Sequence, residues 1–378
     1  MSARLQLFLD PLAGPGGRGL RRYTEDLARS LVDAAPAGCT VEGFVSALPP
    51  ERITELSERL PGVSGITRLG LPRRELTAAW QLGLTPGLGS GMFHSPGPLG
   101  PLKRHDRRFD QTQIVVTVHD TLAWSHPSSL TPATVAAHKT MLKRARKHAD
   151  AVVVPSHAVA QQLAELADFG DRVRVIGHAP STSLALPLDA GWRRGRLGLP
   201  EEYLLTLGTL DPRRGLVPLI TALGLPGAPD LPLVVLGPES WGRVDIAQVA
   251  DEAGLEEGRV IALGEVSDAD LAVVYAHAAA FIYPTLREGF GLPVLEAFSF
   301  DVPVIHSDDA ALREVAGGAG ITVESSGKGY PERLAAAMEE LFADDERRGQ
   351  LVVAGGDRAR AYTWQGTAEQ IWQLHADL

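Results

Sequence analysis

The sequence predicts an α/β fold with two doubly wound domains, each built around a parallel β-sheet. The chain has 378 residues, which is longer than one hydrophobic core usually supports. Continuous runs of Val, Ile and Leu alternate with longer helical patterns, as they do in parallel sheets that are covered by helices on both faces. This alternation stops in a proline-containing segment at residues 180–203 and then resumes. The break predicts a domain boundary.

The strand predictions rest on eight apolar segments. In the first half of the chain these are RLQLFLD, IVVTVHD and AVVVPS, and in the second half YLLTLGTL, LPLVVLG, RVIALG, AAFIYPT and VPVIHS. Helical patterns such as LRRYTEDLARSLVDAA and VAAHKTMLKRARKHA complete the β-α units. We therefore expect Rossmann-like domains at residues 1–188 and 189–360, facing each other across a cleft, with an amphipathic helix at 361–378 crossing back to the first domain. Ligands of such sheets bind beyond the carboxyl ends of the strands, so the cleft is the expected site.

Charge is distributed unevenly along the chain. The net charge is −10, but residues 1–190 hold 21 Lys+Arg against 17 Asp+Glu, or +4, which leaves 15 against 29, or −14, in the remainder. Two basic runs occur in the first half: Lys103, Arg104, Arg107 and Arg108, and Lys143, Arg144, Arg146 and Lys147. They predict solvated faces, and the alternative is contact with an anionic acceptor or a peripheral membrane surface. Nucleic-acid binding is disfavoured because the total charge is acidic and aromatic interleaving is absent.

The compartment is predicted from cysteine usage. The single cysteine, Cys39, excludes an intramolecular disulfide, and the opening MSARLQLFLD is too short and too polar for an export signal. The most apolar window, residues 271–283, falls short of the roughly 18 to 20 residues that span a bilayer. A cytoplasmic location is expected, with peripheral contact at the inner face of the membrane as the alternative. The oligomeric state is not predicted.

The segment PTLREGFGLPVLEAF, residues 284–298, places two carboxylates around a glycine-rich turn. Gly289 and Gly291 favour a turn, and Pro293 suits the first turn of a helix, where its missing N–H costs nothing. The segment therefore predicts a strand end, a glycine loop and a helix start, with Glu288 in the loop and Glu296 in the first helical turn. Backbone N–H groups at such a helix start suit a phosphate or the hydroxyls of a sugar.

A second loop carries two adjacent arginines. The strand YLLTLG runs into TLDPRRGLVPLI, which places Arg213 and Arg214 in a strand-to-helix loop. Two guanidinium groups there can hold a diphosphate and neutralise charge that develops on a phosphate leaving group.

These segments together resemble the retaining glycosyltransferases of family 4, also described as glycosyl transferases group 1, which include mannosyltransferases. The resemblance is densest from Tyr203 to Glu324 and includes TLGTLDPRRGLVPLI, LVVLGPESWG, EGFGLPVLE and ALREVAGGAGI. GPGGRGLRRYTEDLARSL and IVVTVHDTLAWSHP carry a weaker resemblance in the first half. It implies the GT-B arrangement of two facing domains, a nucleotide diphosphate sugar as co-substrate without a further cofactor or metal, the donor on the second domain and the acceptor on the first.

The resemblance also implies roles for individual residues. Glu288 would contact the donor sugar, Glu296 the ribose, and His119 would face the sugar from the first domain. The implied catalytic residues are Glu288, His119, Arg213 and Arg214; the donor-binding residues Glu296, Gly289, Phe290, Gly291, Leu292, Gly208, Thr209, Gly16 and Gly17; and the acceptor-side residues Gly19, Tyr23 and Asp120. Two positions depart from the family pattern, because Arg214 replaces the usual Lys and Gly215 stands where Asn is common. A planar guanidinium fork differs in geometry from an ammonium.

Two other motifs have competing interpretations. Asp268 and Asp270 form a D-x-D sequence that could ligate a metal, but Ser267 three residues before Asp270 favours a helix capping box.

Gly14, Gly16 and Gly19, followed by Glu42, fit a dinucleotide-binding pattern and define the alternative of an NAD-dependent oxidoreductase. Pro15 and the following arginines argue against it. A third interpretation is a catalytically inactive protein that binds a nucleotide sugar.

The expected function is therefore transfer of a sugar, with retention of anomeric configuration, from a nucleotide diphosphate sugar to a glycan, lipid-linked or small-molecule acceptor. GDP-mannose is the first choice of donor, with UDP- and dTDP-sugars as alternatives. The sequence does not place a pair of carboxylates as nucleophile and acid/base, the arrangement that glycosidases use. The family resemblance implies a front-face substitution in which the departing phosphate oxygen takes the proton of the acceptor.

Overall fold

The computed structural model describes residues 3–14 and 17–378. These residues form two compact units. The first comprises the described chain up to His178 together with Thr363–Leu378, and the second comprises Ala179–Tyr362. The sequence analysis placed the corresponding boundaries at residues 188 and 360.

In the described part of the first unit, seven parallel strands form one sheet in the order β3-β2-β1-β4-β5-β6-β7. The strands are β1 Ala3–Phe8, β2 Cys39–Val45, β3 Ile66–Arg68, β4 Met92–Ser95, β5 Gln113–Thr117, β6 Ala151–Val154 and β7 Val173–Val175. The helices between them are α1 Asp10–Ala13, α2 Arg18–Asp33, α3 Pro50–Arg59, α4 Arg73–Leu82, α5 Leu122–Ser125, α6 Pro132–His148 and α7 His157–Leu166.

Residues 179–362 form a second parallel sheet of six strands in the order β12-β9-β8-β13-β14-β15, beside a short antiparallel hairpin, β10-β11. The strands are β8 Leu204–Leu207, β9 Leu233–Leu236, β10 Ser240–Trp241, β11 Val244–Asp245, β12 Val260–Gly264, β13 Ala280–Tyr283, β14 Val304–Ser307 and β15 Ile321–Val323. The helices are α8 Ala190–Leu197, α9 Leu216–Leu223, α10 Ile246–Glu252, α11 Asp268–Ala276, α12 Leu292–Ser299, α13 Ala310–Ala316, α14 Tyr330–Ala343 and α15 Asp345–Arg360. The last helix of the chain, α16 Trp364–Asp377, belongs to the first unit.

Continuous apolar strands place a hydrophobic core on each face of the second sheet. Leu204, Ala280 and Ile305 pack into one buried cluster, whereas their chain neighbours Leu205 and Phe281 pack into the other. Successive strand residues point to opposite faces, so a run of apolar residues serves both cores. The predicted class of two doubly wound α/β domains is confirmed.

The eight predicted strands and the helices α2, α6 and α16 are present. Several short elements, among them β3 and the hairpin, were not predicted from the sequence. The strand β3 has three residues with partly or fully exposed side chains, so it carries no apolar run to detect. No helix among the described residues is long and apolar enough to cross a bilayer.

Helix α16 is fixed to the first unit by buried polar contacts. Trp372 Nε1 donates to the carbonyl oxygen of Leu31 at 2.9 Å. His375 Nδ1 lies 3.1 Å from Gln113 Oε1, and His375 Nε2 lies 3.4 Å from His94 Nδ1. Because the amide oxygen of Gln113 only accepts, His375 donates from Nδ1 and accepts at Nε2 from His94. Burial lowers the pKa of His375 to about 4 and that of His94 well below its ordinary value.

The His375 pKa predicts acid sensitivity of the first unit. The imidazole is neutral when folded but takes up a proton in the unfolded chain below about pH 6.5, so its stabilisation is present above pH 6.5 and is lost as pH falls towards 4. At pH 5.0 this costs about 2 kcal/mol. In the variant His375→Gln, the fall in unfolding free energy between pH 7.5 and 5.0 should be smaller by about that amount.

Urea unfolding followed by tryptophan fluorescence measures this difference. The matched control is His157→Gln, since His157 is exposed at the start of α7. An unchanged pH dependence of the unfolding free energy in His375→Gln would contradict the low pKa of His375 in the folded protein.

Candidate active site

The candidate site of the second unit is built from the loops that follow β8 and β13. These two strands are neighbours at the centre of the six-stranded sheet, so their carboxyl ends lie side by side. The first loop contains residues 208–215 and the second residues 284–291. Ligands of parallel sheets bind at this edge.

The loop after β8 is ordered by its own polar side chains. Thr209 Oγ1 accepts from the Asp211 N–H at 3.1 Å, and Asp211 Oδ1 accepts from the Arg213 N–H at 3.1 Å. Such side-chain-to-backbone bonds stabilise tight turns. Gly208 N donates to the Leu236 carbonyl at 3.0 Å, which holds the start of the loop to β9. The result is a single 3-10 turn, Pro212–Arg214, that presents both arginines.

Arg213 joins this loop to the loop after β13. Its carbonyl oxygen accepts from Leu286 N at 2.8 Å, and its Nη1 donates to the Arg287 carbonyl at 3.0 Å. The side chain is 8% exposed. Arg213 therefore positions the segment that leads to Glu288, in addition to carrying charge.

Arg214 forms an ion pair with Glu288. Its Nη1 lies 2.7 Å from Glu288 Oε2 and 2.9 Å from the Tyr283 hydroxyl, which donates to the same carboxylate oxygen at 2.9 Å. Burial raises the pKa of Tyr283, so the phenol remains a neutral donor. Burial also opposes ionisation of Glu288, but the charges of Arg214 and Arg213 and the Tyr283 hydrogen bond outweigh it and lower the pKa of Glu288. Glu288 is therefore a carboxylate at neutral pH.

The glycine loop leads directly into α12. Gly291 adopts a left-handed φ of 92° and precedes the helix, which has no side-chain cap at its amino terminus. A Cβ at Gly291 would lie 2.4 Å from Leu312 Cδ2, so the position also lacks space for a side chain. The Phe290 ring is buried and packs edge-on against Tyr362 at 5.6 Å. Leu292 is the first residue of α12, so this loop presents an uncapped helix start beside Glu288.

Glu296 lies elsewhere on α12 than predicted. The expectation that it occupies the first helical turn is wrong, because the helix begins at Leu292, directly after the left-handed Gly291, and Glu296 is its fifth residue. Its side chain is buried, and the Tyr275 hydroxyl donates to Oε2 at 3.1 Å. Its contact with a ribose stays a prediction.

Gly215 explains one departure from the family pattern. Its φ is 67°, a left-handed conformation that Gly and Asn tolerate best, and it directly precedes α9. A Cβ at this position would lie 2.2 Å from the Pro284 carbonyl oxygen. The close approach of the two loops therefore requires glycine rather than asparagine here.

His119 of the first unit lies just beyond β5 within an aromatic cluster. Its Nε2 donates to the Pro96 carbonyl at 2.6 Å, and its ring packs edge-on against Tyr23 at 4.7 Å and against His178 at 5.1 Å. Burial lowers the pKa of His119. Tyr23 is 3% exposed and also packs against Trp364 at 5.7 Å. Tyr23 therefore supports the His119 ring from within the unit.

The remaining first-unit predictions lie near α2 and α5. Asp120 Oδ1 accepts from Leu122 N at 2.9 Å and orders the start of α5. Gly17 precedes α2 and Gly19 lies in its first turn, whereas Gly16 lies outside the described residues. A Cβ at Gly17 or Gly19 would meet no atom within 4 Å. In a dinucleotide fingerprint the last glycine permits close helix–strand packing, so the open space at Gly19 disfavours the oxidoreductase alternative.

The predicted helix cap at Ser267 is confirmed. Ser267 Oγ accepts from Asp270 N at 3.1 Å and donates to its carboxylate, which also pairs with Arg193 at 2.8 Å and Arg196 at 2.6 Å. Asp268 accepts from Ser183 at 2.8 Å. Across the part of the chain that is described, no group of three or more His, Cys, Asp or Glu residues is arranged to hold a metal ion.

Three residues of these clusters were not identified from the sequence. Tyr283 is the last residue of β13 and lies near the end of the predicted strand AAFIYPT, which was a usable signal, because residues at strand ends border the site. Asp211 orders the arginine turn, and His178 packs on Tyr23 at 4.4 Å. His178 follows β7, whose three residues gave no recognisable strand pattern.

The fold and these loops define the class of a GT-B glycosyltransferase. Residues 193–357 match the family model described as Glycosyl transferases group 1, and residues 17–183 match the model described as Glycosyltransferase Family 4. Together the two matches span most of the chain. The chain belongs to the family 4 glycosyltransferases, as the sequence resemblance predicted.

Relatives with known names support this membership. O-antigen chain mannosyltransferase B of Escherichia coli is 34% identical over 173 residues, which are 45% of this chain and 44% of that protein. Phosphatidyl-myo-inositol mannosyltransferase of Mycobacterium leprae is 33% identical over 188 residues, 48% of this chain and 47% of that protein. The matched regions thus span less than half the length of these two relatives.

Among solved structures, Anabaena HepE in complex with UDP-glucose has a TM-score of 0.73 at 18% identity, covering 99% of this chain and 100% of that one. Sucrose-phosphate synthase from Thermosynechococcus elongatus has a TM-score of 0.69 at 22% identity, covering 99% and 98%. These similarities show the shared fold.

The contact at Gly215 yields a test of the loop junction. Gly215→Asn should push the arginine turn away from Pro284 and destabilise the second unit by roughly 1–3 kcal/mol, the usual cost of overpacking. The matched control is Gly198→Asn, because Gly198 has a φ of 63° but open space where the Cβ would be. Urea unfolding of both variants measures the difference. Equal losses of unfolding free energy would contradict the conclusion that the close approach to Pro284 requires glycine at position 215.

Proposed function

We propose that the chain is a retaining glycosyltransferase that transfers a hexose from a nucleotide diphosphate sugar. Family membership supports the class of reaction. The observation that carries the proposal is the ion pair of Arg214 and Glu288, with the Tyr283 hydroxyl hydrogen-bonded to both, in the loop that leads into the uncapped start of α12. A guanidinium and helix-start amides suit a diphosphate, and a carboxylate suits sugar hydroxyls.

In the proposed donor complex, each oxygen of Glu288 has a separate task. Oε2 accepts from Arg214 and Tyr283, which fixes the carboxylate. Oε1 accepts from the Gly289 N–H at 3.3 Å, a long bond that leaves capacity for a sugar hydroxyl. Arg214 directs one nitrogen to Glu288 and has other N–H groups with which to bind the diphosphate.

The proposed chemistry is a front-face substitution. The bond between the anomeric carbon and the phosphate oxygen breaks, and its electron pair goes to the phosphate. The acceptor oxygen forms the new bond on the same face of the sugar, and the departing phosphate oxygen takes the acceptor proton. Arg213 and Arg214 would stabilise the charge on the leaving group, and His119 would contact the sugar from the first unit.

GDP-mannose is the proposed donor because several relatives are named mannosyltransferases. The proposed acceptor is a glycan, a lipid-linked compound or a small molecule, bound by the first unit through the Gly19, Tyr23 and Asp120 region. The nucleotide sugar serves as co-substrate, and no further cofactor is proposed. A cytoplasmic location is proposed from the cysteine usage.

Donor hydrolysis tests this proposal without knowledge of the acceptor. The protein is incubated with GDP-mannose, UDP-glucose, UDP-galactose or dTDP-glucose, and release of nucleoside diphosphate is measured over hours. We expect release with GDP-mannose above the rate with the other donors. NMR of the transfer product with a responsive acceptor should show the α configuration of the donor. A product with the β configuration would contradict retention. The absence of nucleoside diphosphate release with every donor would contradict the assignment of the chain as an enzyme.

Replacement of Glu288 separates binding from catalysis. Glu288→Gln keeps the side-chain shape but removes its charge. The rate of transfer should therefore fall by about 100-fold or more, as it does when other electrostatic contacts to a transition state are removed. Affinity for the nucleoside diphosphate should change less than about threefold, because Arg214 retains its charge. Calorimetric titration and product assays measure the two effects.

Glu257→Gln is the matched control, since Glu257 is exposed on the same unit. A normal transfer rate in Glu288→Gln would remove the role assigned to the carboxylate.

A further inference from the structure

The two basic runs of the first half converge on one cavity of about 640 Å³. Residues 104–107 form one side and residues 147–150 another, and residues 171–174 together with Asp377 and Leu378 complete the wall. The lining residues Ala149, Asp150 and Arg172 directly precede β6 and β7, which places the cavity at the amino-terminal edge of the first sheet. His119 follows β5 at the opposite, carboxyl edge. The cavity is therefore separate from the first-unit residues assigned to sugar transfer.

Part of the wall is held rigidly by internal hydrogen bonds. Arg172 donates to the carbonyl oxygens of Phe169, Ala149 and Arg146 at 2.8 to 3.0 Å. Asp150 accepts from His105 at 2.8 Å and from Ile114 N at 2.7 Å, and Arg107 lies 3.5 Å from its other oxygen. The Asp150 carboxylate is thus already paired with its neighbours. Asp171 and Asp377, both exposed, also line the cavity.

Two of the cations that line the cavity remain wholly available for a ligand, and Arg174 donates only to backbone carbonyl oxygens. Arg104 and Lys147 are exposed, line the cavity and form no ion pair or side-chain hydrogen bond within the described structure. His148 lies half-buried beside them. Burial lowers the pKa of His148, and the neighbouring positive charges of Arg144, His105, Lys147 and Arg104 lower it further.

The lining chemistry favours a phosphate group over a nucleobase. Of the described residues that line the cavity, none is Phe, Tyr or Trp, so it lacks the stacking surface that bases usually require. Arginine and lysine are the usual ligands of phosphate. We propose that this cavity binds a phosphate monoester or diphosphate group, carried by a soluble metabolite or by a lipid headgroup, through Arg104 and Lys147.

The variant Arg104→Gln/Lys147→Gln tests the proposal. Inorganic pyrophosphate is titrated into the full chain while the His148 imidazole resonance is followed by NMR, assigned through His148→Asn. We expect saturable binding that raises the His148 pKa, and a loss of affinity of at least tenfold in the double variant. Cosedimentation with phosphatidylcholine vesicles containing phosphatidic acid tests the lipid source, and the same double variant should reduce it.

Arg108→Gln/Lys143→Gln is the matched control. It removes two positive charges from the same basic runs, but neither residue lines the cavity. An equal loss of affinity in this control would overturn the proposal and indicate binding to diffuse surface charge. The proposal would also be overturned if neither pyrophosphate nor the acidic vesicles bind the unmodified protein.

The same titration in Arg214→Ala distinguishes binding in this cavity from binding at the candidate donor site. The His148 response should persist in that variant, and its disappearance would contradict a separate site.

Discussion

The ion pair between Arg214 and Glu288 is the interaction on which the candidate donor site depends. The two side chains come from loops after adjacent strands, and they are only 27% and 21% exposed. Loss of one partner would leave the other desolvated and unpaired, which is strongly destabilising for buried charges. The Tyr283 hydroxyl contacts both partners, so the strand end, the arginine turn and the glycine loop form one polar unit. The orientation of Glu288 towards a donor sugar follows from this arrangement.

Glycine makes the arrangement sterically possible. Gly215 allows the arginine turn to approach the Pro284 carbonyl, and Gly291 allows the loop after β13 to pass beside Leu312 before α12 begins. Both adopt left-handed backbone conformations. Gly215 thus brings two backbone segments together and Gly291 leaves space for the Leu312 side chain, whereas charge and hydrogen bonding come from the side chains between them. The unusual glycine at position 215 is accounted for by this contact.

The sequence predicted the parts of the structure that long apolar runs encode. The buried strands β5 and β13 and the residues that follow them could be located, because a continuous hydrophobic run ends where the polar site begins. Short edge strands such as β3 carry no such run. The ion pair itself could not be predicted, since it depends on which strands are neighbours: residues 214 and 288 are distant in sequence and meet only through the β8–β13 pairing. The start of α12 at Leu292, which places Glu296 in the second turn, depends on the Gly291 conformation and was likewise not readable from residue types.

The most direct test of the donor site is a crystal structure of the chain with GDP bound. We predict diphosphate oxygens within hydrogen-bonding distance of the Arg214 guanidinium and of the Leu292 backbone N–H at the start of α12, with Glu288 still paired to Arg214. A diphosphate bound away from residues 208–215 and 284–292, for example only in the cavity of Arg104 and Lys147, would contradict it.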